Sequence, residues 1–309
     1  MAARRVFALM GPTASGKTNA ALAVADRGHF DLVSVDSAMV YRRMDIGTAK
    51  PSPEILAQYP HAVVDVIEPT ESYSAARFVA DADAAVVQAF SADRTPLLVG
   101  GTMLYFKAFK HGLSTLPAAD HAIRRRIATQ AAEVGWPALH ARLARRDARA
   151  AAHIDPNNGQ RIQRALEVLE ITGRSITEAW SEPVPGATER LDCELVEVAV
   201  VPDRATLHKS IACRVDAMLA RGLVAEVAAL RDDPALTADL PSMRAVGYRQ
   251  VWRHLDGEYG RQEMVERIRA ATRQLAKRQL TWLRRWPGLA WAADGDAAAN
   301  LIAAEAALR

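Results

Sequence analysis

An octapeptide near the start, Gly11-Pro12-Thr13-Ala14-Ser15-Gly16-Lys17-Thr18, constrains this 309-residue chain more than any other stretch. It matches the G-x-x-x-x-G-K-[ST] phosphate loop and stands in the context such a loop needs, after the apolar run Val6–Met10 and before the helical pattern Thr18–Ala25. Backbone N–H groups of a loop like this point inward, and the helix N-terminus adds positive potential, so the segment is expected to hold a phosphate or diphosphate. Lys17 is placed to reach phosphate oxygens and the Thr18 hydroxyl to meet a bound magnesium ion. A bare phosphate loop does not say what becomes of the phosphate.

The following residues keep a βα rhythm. The first helix is closed by Gly28, Leu32–Val35 is a second apolar strand ending at Asp36, and His61–Ile67 is a third candidate ending at Glu68-Pro69. Ser74–Phe90 reads as a helix capped by Ser74, and Pro96–Val99 as a strand that stops at Gly100-Gly101-Thr102. Short apolar strands separated by helices imply a parallel sheet covered on both faces, an α/β fold. Ligands of such sheets lie at the carboxyl ends of the strands, so the loop, Asp36-Ser37 and Thr102 are expected in one crevice. Asp36 there is either a proton acceptor, a magnesium ligand, or only a cap for the next turn.

From about Leu116 the rhythm changes, and Asp120–Trp180 is helical throughout. Ile162, Ala165, Leu166 and Leu169 share one face of a helix over Gln160–Thr172, with Asp155-Pro156 as its start signal and Gly173 as its stop. The β signal returns at Glu194–Val201, and the Ala-rich segment after Ala292 is a last short helix or a loose tail. The expected organisation is therefore a core domain over 1–115 and 190–309, interrupted by an all-helical insertion over 116–189.

Composition excludes several classes. Half the residues are apolar and 24% charged, enough for a sizeable core and too few charges for wholesale disorder. No apolar run approaches the roughly 18–20 residues of a membrane span, and Val6–Met10 is too short for a signal-peptide core. Cys193 and Cys213 have no metal-ligand spacing, so a disulfide framework and a structural zinc site are not expected, and the chain reads as soluble and cytoplasmic. Net charge is only +3, but the basic residues cluster. Eight Lys/Arg against two Glu fall between Arg261 and Trp286, with Arg269, Arg273 and Lys277 four apart on one helix face. Arg124–Arg126 and the pair Arg161 and Arg164 add two further clusters. A basic face with aromatics suits a nucleic-acid backbone and stacked bases, and its bland alternative is a solvated helix face.

Taken together, the segments resemble the tRNA dimethylallyltransferases, also called tRNA isopentenyltransferases. The resemblance runs through GPTASGKT at 11–18, DSAMVYRRMDIGTAKP at 36–51, LLVGGTMLYFKA at 97–108, QRIQRALEV at 160–168, SMRAVGYRQVW at 242–252 and TRQLAKRQLTWLR at 272–284, and covers roughly residues 5–290. It implies a P-loop NTPase-like parallel-sheet core with a helical, tRNA-binding insertion. It also implies that the phosphate loop, Gly11 to Thr18, binds dimethylallyl diphosphate rather than ATP, with Mg2+ at Thr18. The prenyl group then passes to the exocyclic amine of the adenosine 3′ of the anticodon. By the same resemblance Lys17 and Arg214 hold the diphosphate, Asp36 takes the amine proton, and Thr102 positions the amine or the diphosphate. The tRNA anticodon stem-loop is contacted by Asp36, Ser37, Ala38, Met39 and Thr102, by Arg124, by Gln160, Arg161, Ile162, Gln163 and Arg164, by Arg244, Gly247 and Arg249, and by Lys277, Arg278, Trp282 and Arg284. No membrane partner is implied, and a monomer is expected.

One position departs from the family pattern. Arg43 stands where the family usually has glycine before Met44-Asp45-Ile46-Gly47. If that position has φ > 0, arginine costs about 1–2 kcal/mol, and otherwise it adds an RNA contact. Two other readings of the chain compete with the transferase. A small-molecule kinase would use the same loop and Asp36, consume ATP, and leave three basic clusters unexplained. A noncatalytic RNA-binding module would use the loop only to grip a phosphate backbone.

Overall fold

Alternation in the first strand shows how the core is divided. In β1 (Arg4–Met10), Val6, Ala8 and Met10 point into one apolar cluster while Phe7 and Leu9 point into another, so this strand is covered on both faces. The structure is a computed structural model, and it describes residues 4–114, 116–181 and 184–307. After β1 come α1 (Lys17–Ala25), β2 (Phe30–Val35), α2 (Pro53–Gln58), β3 (His61–Ala62), α3 (Ala75–Ser91), β4 (Thr95–Gly100) and α4 (Met103–His111). A helical stretch follows: α5 (His121–Val134), α6 (Trp136–Arg146), α7 (Ala148–Ala152), α8 (Gly159–Thr172) and α9 (Ile176–Ser181). The chain then continues with α10 (Ala187–Leu191), β5 (Cys193–Val200), α11 (Arg204–Ala220), α12 (Leu223–Arg231), α13 (Tyr248–Leu255), α14 (Arg261–Leu283), β6 (Ala290–Ala292) and α15 (Gly295–Ala307).

The six strands form one parallel sheet in the order β3-β2-β4-β1-β5-β6, flanked by helices, the α/β class expected. Its register places the site. Val35 and Met10 both lie opposite Gly100, and Met10 lies opposite Ala199, so the carboxyl ends of four strands finish in one row. One face is covered by α1 and α15 through Ala20, Ala21, Val24, Ala298, Ala299 and Ile302. The other carries the larger cluster, including Phe78, Val86, Phe106, Phe109, Tyr248 and Ile268.

Local signals explain most helix ends. The Ser74 hydroxyl accepts from Arg77 N at 3.1 Å, and Phe78, Ala82, Val86 and Ala89 form the buried face of α3. Asp203 caps α11 by accepting from Ala205 N and Thr206 N. Helix α8 is capped by Asn158, not by Asp155-Pro156, because the Asn158 side chain is the one that accepts from Arg161 N. Gly173 closes it in the left-handed conformation, φ 69°.

Two strand expectations change. Only His61–Ala62 pairs with β2, and the rest of the expected third strand meets Tyr41 through one isolated bridge at Ile67, since Val63 and Asp65 have positive φ and break the extended run. The segment after Ala292 is an ordered helix, preceded by the short edge strand β6.

The chain divides into two compact units, Met1–His111 with Gly186–Arg309, and Gly112–Pro185. The expected border at 115 lies outside the described residues, as do residues 1–3. Residues 186–189 belong to the first unit, where Ala187 and Leu191 are buried and Arg190 pairs with Asp83. The second unit has its own core, built from Ile127, Leu139, Leu143, Ile154, Ile162 and Leu166 among others. Within it Glu167 is wholly buried and accepts from Arg124, Arg164 and the backbone of Asp120. Among the described residues no helix is long and apolar enough to cross a membrane.

Candidate active site

The phosphate loop leaves β1 at the row of strand ends. Gly11 sits against β5: a Cβ there would come within 2.6 Å of the Val200 carbonyl. Ala14 (φ 63°) and Gly16 (φ 91°) turn the backbone in the left-handed region, and the Ala14 methyl packs with Leu207, Ile211, Ala276 and Leu280. Two loop amides have protein partners, Ser15 N on Pro12 O and Thr13 N on Gln279 Oε1. Helix α1 then begins at Lys17 with no side-chain cap, which leaves its first-turn amides for an anion. The Ser15 hydroxyl is buried inside the loop without a partner. Lys17 Nζ donates to Pro12 O at 2.6 Å. Burial pushes its ammonium down to about 7, with Arg214 adding to the fall and Asp36 opposing it.

Asp36 follows β2 directly. Its Oδ1 accepts from Ala38 N at 2.8 Å and Met39 N at 3.3 Å, the turn cap of the bland reading. Among the described residues its second oxygen takes part in no hydrogen bond. Thr102, after β4, is tied to the same segment, because its Oγ1 accepts from Ser37 N at 3.0 Å. Arg214 comes from α11 and donates to Thr48 O at 3.3 Å. Burial lowers its pKa and the Asp36 charge opposes that shift.

Lys17, Thr18, Asp36, Thr102 and Arg214 all line one cavity of about 480 Å³ within the first unit. Ser37, Ala38, Met39, Arg244, Gly247, Arg278 and Trp282 line it too. Its cationic end lies at Lys17 and Arg214, while Val99, Met103, Leu104, Val215, Met218 and Leu275 supply apolar wall. The 480 Å³ volume is that of a small-ligand site.

The basic clusters behave less uniformly. On α14, Lys277 and Arg278 are exposed and, among the described residues, free of ion pairs, as are Arg284 just beyond it and Arg249 on α13; the half-buried Arg273 is equally unpaired among them. Trp282 is 36% exposed with Lys107 Nζ 5.9 Å from its ring centre. Arg269 does not belong to that free face, since it pairs with Asp216 and Glu266. In the insertion unit Ile162 is fully buried in the core and cannot meet RNA, because it occupies the apolar face of α8. Arg124 and Arg164 are held by Glu167, and Gln163 donates to Arg124 O, so this patch is an internal network. Gln160 and Arg161 do project from that helix.

Arg43 has φ 64°, the left-handed conformation that a glycine would adopt without strain, and it pairs with Asp233 at 3.0 Å and Glu68 at 3.8 Å. Two site residues escaped sequence reasoning. Glu226 accepts from the amides of Asp45, Ile46 and Gly47 and from the Tyr248 hydroxyl, fixing the loop that leads to Thr48. Gln279 lies on the inward face of α14; a polar residue in phase with Thr272, Ala276 and Leu283 was the available signal.

Known proteins resemble this chain in sequence and fold. The IPP transferase family model matches residues 39–286. The tRNA dimethylallyltransferase of Alkalilimnicola ehrlichii is 56% identical over 288 residues, 93% of this chain and 90% of its own. The tRNA dimethylallyltransferase 2 of Hahella chejuensis is 50% identical over 299 residues, covering 93% and 90%. The crystal structure of the full-length tRNA isopentenylpyrophosphate transferase of Bacillus halodurans superposes with a TM-score of 0.70 at 34% identity, over 98% of this chain and 96% of that one. A phosphate loop, an acidic strand end and a half-apolar cavity thus occur here in a chain that such relatives match over 93% of its length, and the chain belongs to the IPP transferase family.

Proposed function

We propose that this chain transfers the dimethylallyl group of dimethylallyl diphosphate to the exocyclic amine of the adenosine 3′-adjacent to the anticodon in tRNA, releasing diphosphate. The observation that carries the reading is one cavity with a cationic end, a half-free carboxylate and an apolar wall. An adenine amine is a weak nucleophile, because its lone pair is delocalised into the ring. The allylic carbon compensates by bearing positive charge as diphosphate departs. The enzyme's main task is then to stabilise the leaving diphosphate and align the amine behind that carbon.

The α1 amides, Lys17 and Arg214 take the first part. The free oxygen of Asp36 accepts the amine proton as the N–C bond forms and the C–O bond breaks, while Thr102 holds the Asp36–Ser37 turn. The apolar wall at Met39, Val215 and Met218 receives the five-carbon chain. A magnesium ion fits beside Thr18: the donor set is one exposed hydroxyl with no cluster of three acidic, His or Cys side chains among the described residues, which suits a metal that takes most of its ligands from phosphate and water. When bound it neutralises diphosphate charge. RNA contact falls to Arg273, Lys277, Arg278, Trp282 and Arg284 around α14, to Arg244 and Arg249, and in the insertion unit to Gln160 and Arg161. The target base leaves its stack to enter the cavity, at about a few kcal/mol.

The test is mass spectrometry of unmodified tRNA after incubation with protein, magnesium and dimethylallyl diphosphate, with ATP in a parallel arm. One prenyl mass on the adenosine beside the anticodon is expected, together with at least an about 100-fold slower gain for Asp36→Asn, which keeps the turn cap but cannot take a proton. ATP consumption with no prenyl gain would restore the kinase.

A further inference from the structure

We propose that Gln279 is a positioning residue whose buried amide spans the phosphate loop and the strand end leading to Thr102, fixing the distance between the departing diphosphate and the attacking amine. The inference rests on the prenyl-transfer reading above.

Gln279 is 8% exposed and lines the cavity. Its Oε1 accepts from Thr13 N at 2.8 Å, and its Nε2 donates to Gly101 O at 2.9 Å. Both ends of the amide are therefore satisfied by backbone, one from each side of the reaction. The amide approaches Gly101 closely: a Cβ there would lie 2.4 Å from Gln279 Nε2 and 3.1 Å from Gly11 O. Beyond Gly101 the linkage runs on, since Thr102 Oγ1 accepts from Ser37 N, next to Asp36.

Two features separate this role from simple support. The Thr13 amide is already occupied by Gln279, so the anion donors are the α1 amides and Lys17, which shortening Gln279 leaves in place. The neighbouring Ala276 and Leu280 pack with Ala14, Leu207 and Ile211, so α14 stays against the loop without the amide. What is lost is register between donor and acceptor.

Register loss has its own chemical signature. If the amine is misplaced as the C–O bond breaks, the diphosphate still leaves with both bonding electrons. A water oxygen then bonds to the allylic carbon and releases its proton to solvent, giving an allylic alcohol. Diphosphate release then exceeds prenyl transfer.

The experiment compares wild type, Gln279→Ala and Gln279→Glu with tRNA, magnesium and dimethylallyl diphosphate, reading kcat, donor KM and the ratio of diphosphate released to prenyl groups on RNA. The wild-type ratio is expected near one. Gln279→Ala is expected to lower kcat about 10- to 100-fold, leave donor KM within about threefold, and raise the ratio at least about twofold. Gln279→Glu has the same shape and keeps an acceptor for Thr13 N–H, but sets an oxygen against Gly101 O; it should lower kcat and raise the ratio as the alanine variant does, and covers the case in which the alanine variant does not fold. A folded variant with wild-type kcat and ratio overturns the proposal, and so does a kcat loss at a ratio of one. A wild type that transfers no prenyl group overturns the transferase reading first, and this inference with it.

Discussion

Lys17 carries a testable sign at the scale of a single residue. Its ammonium sits at about 7 where an ordinary lysine has about 10.5. Between those values the unfolded chain holds a proton that the folded, ligand-free chain lacks, so ligand-free stability rises with pH across that window and is lost as pH falls toward 7. A bound diphosphate restores the ammonium, so binding takes up a proton. Affinity for inorganic diphosphate is expected to carry a loss of up to about tenfold per pH unit above 7 beyond the anion's own ionisation, and Lys17→Arg to remove that part of the dependence. Calorimetry in two buffers of different ionisation enthalpy reads the proton directly. Arg43 offers a second residue-scale test. Its ion pairs with Asp233 and Glu68 are half-exposed and worth little, while its φ of 64° strains any side chain. Arg43→Ala loses the pairs and keeps the strain, whereas Arg43→Gly loses both. The glycine variant is expected to be about 1 kcal/mol more stable than the alanine variant by urea unfolding.

Helix α14 shows how one element divides its work between two faces. Its inner face carries Thr272, Ala276, Gln279 and Leu283, and its outer face carries the unpaired Lys277 and Arg278 with Arg273 beside them. Arg273→Ala with Lys277→Ala is expected to make the slope of log affinity for tRNA against log salt shallower by about 1.5, with Arg269→Ala, already neutralised by Asp216 and Glu266, as a control that leaves it nearly unchanged. A filter-binding salt series decides. Spacing alone placed Arg269, Arg273 and Lys277 together, and Asp216 of α11 with Glu266 one turn back separated the first from the others. Strong local signals, such as the Ser74 cap and the period of α3 and α8, were legible because they depend on nearby residues. The shortness of β3 and the existence of β6 were not, because two- and three-residue strands have no period and form only where a neighbouring edge offers hydrogen bonds.

Two cores in one chain set the behaviour of the whole molecule. The insertion unit encloses a fully buried Glu167 held by Arg124 and Arg164, whose side chains are 38% and 26% exposed. Glu167→Ala removes their shared partner and the acceptor for the Asp120 amide, at about 1–3 kcal/mol after allowing for that exposure. Because the insertion unit has, among the described residues, a buried cluster of its own, Glu167→Ala is expected to lower the unfolding midpoint of residues 112–185 while amide exchange in β1 and β4 stays unchanged. Hydrogen exchange resolved by peptide reads both units in one sample.

Sequence by itself determined the class of the fold, the phosphate loop and the chemical character of the strand ends, since these rest on contiguous residues: an apolar run, a glycine-rich turn, a helix start. It also posed two readings of Arg43, strain at a positive φ or an added RNA contact, and the observed φ of 64° answers to the first. Tertiary structure alone decided which charges are free. Arg124, Arg164 and Arg269 look like Arg161, Lys277 and Arg278 in one dimension, and differ by the carboxylates that meet them: Glu167, 43 residues from Arg124 and one turn from Arg164, and Asp216 with Glu266 at Arg269. It alone joined Gln279 to Thr13 and Gly101, separated by 266 and 178 residues, because a hydrogen bond depends on distance in space and no local pattern records it.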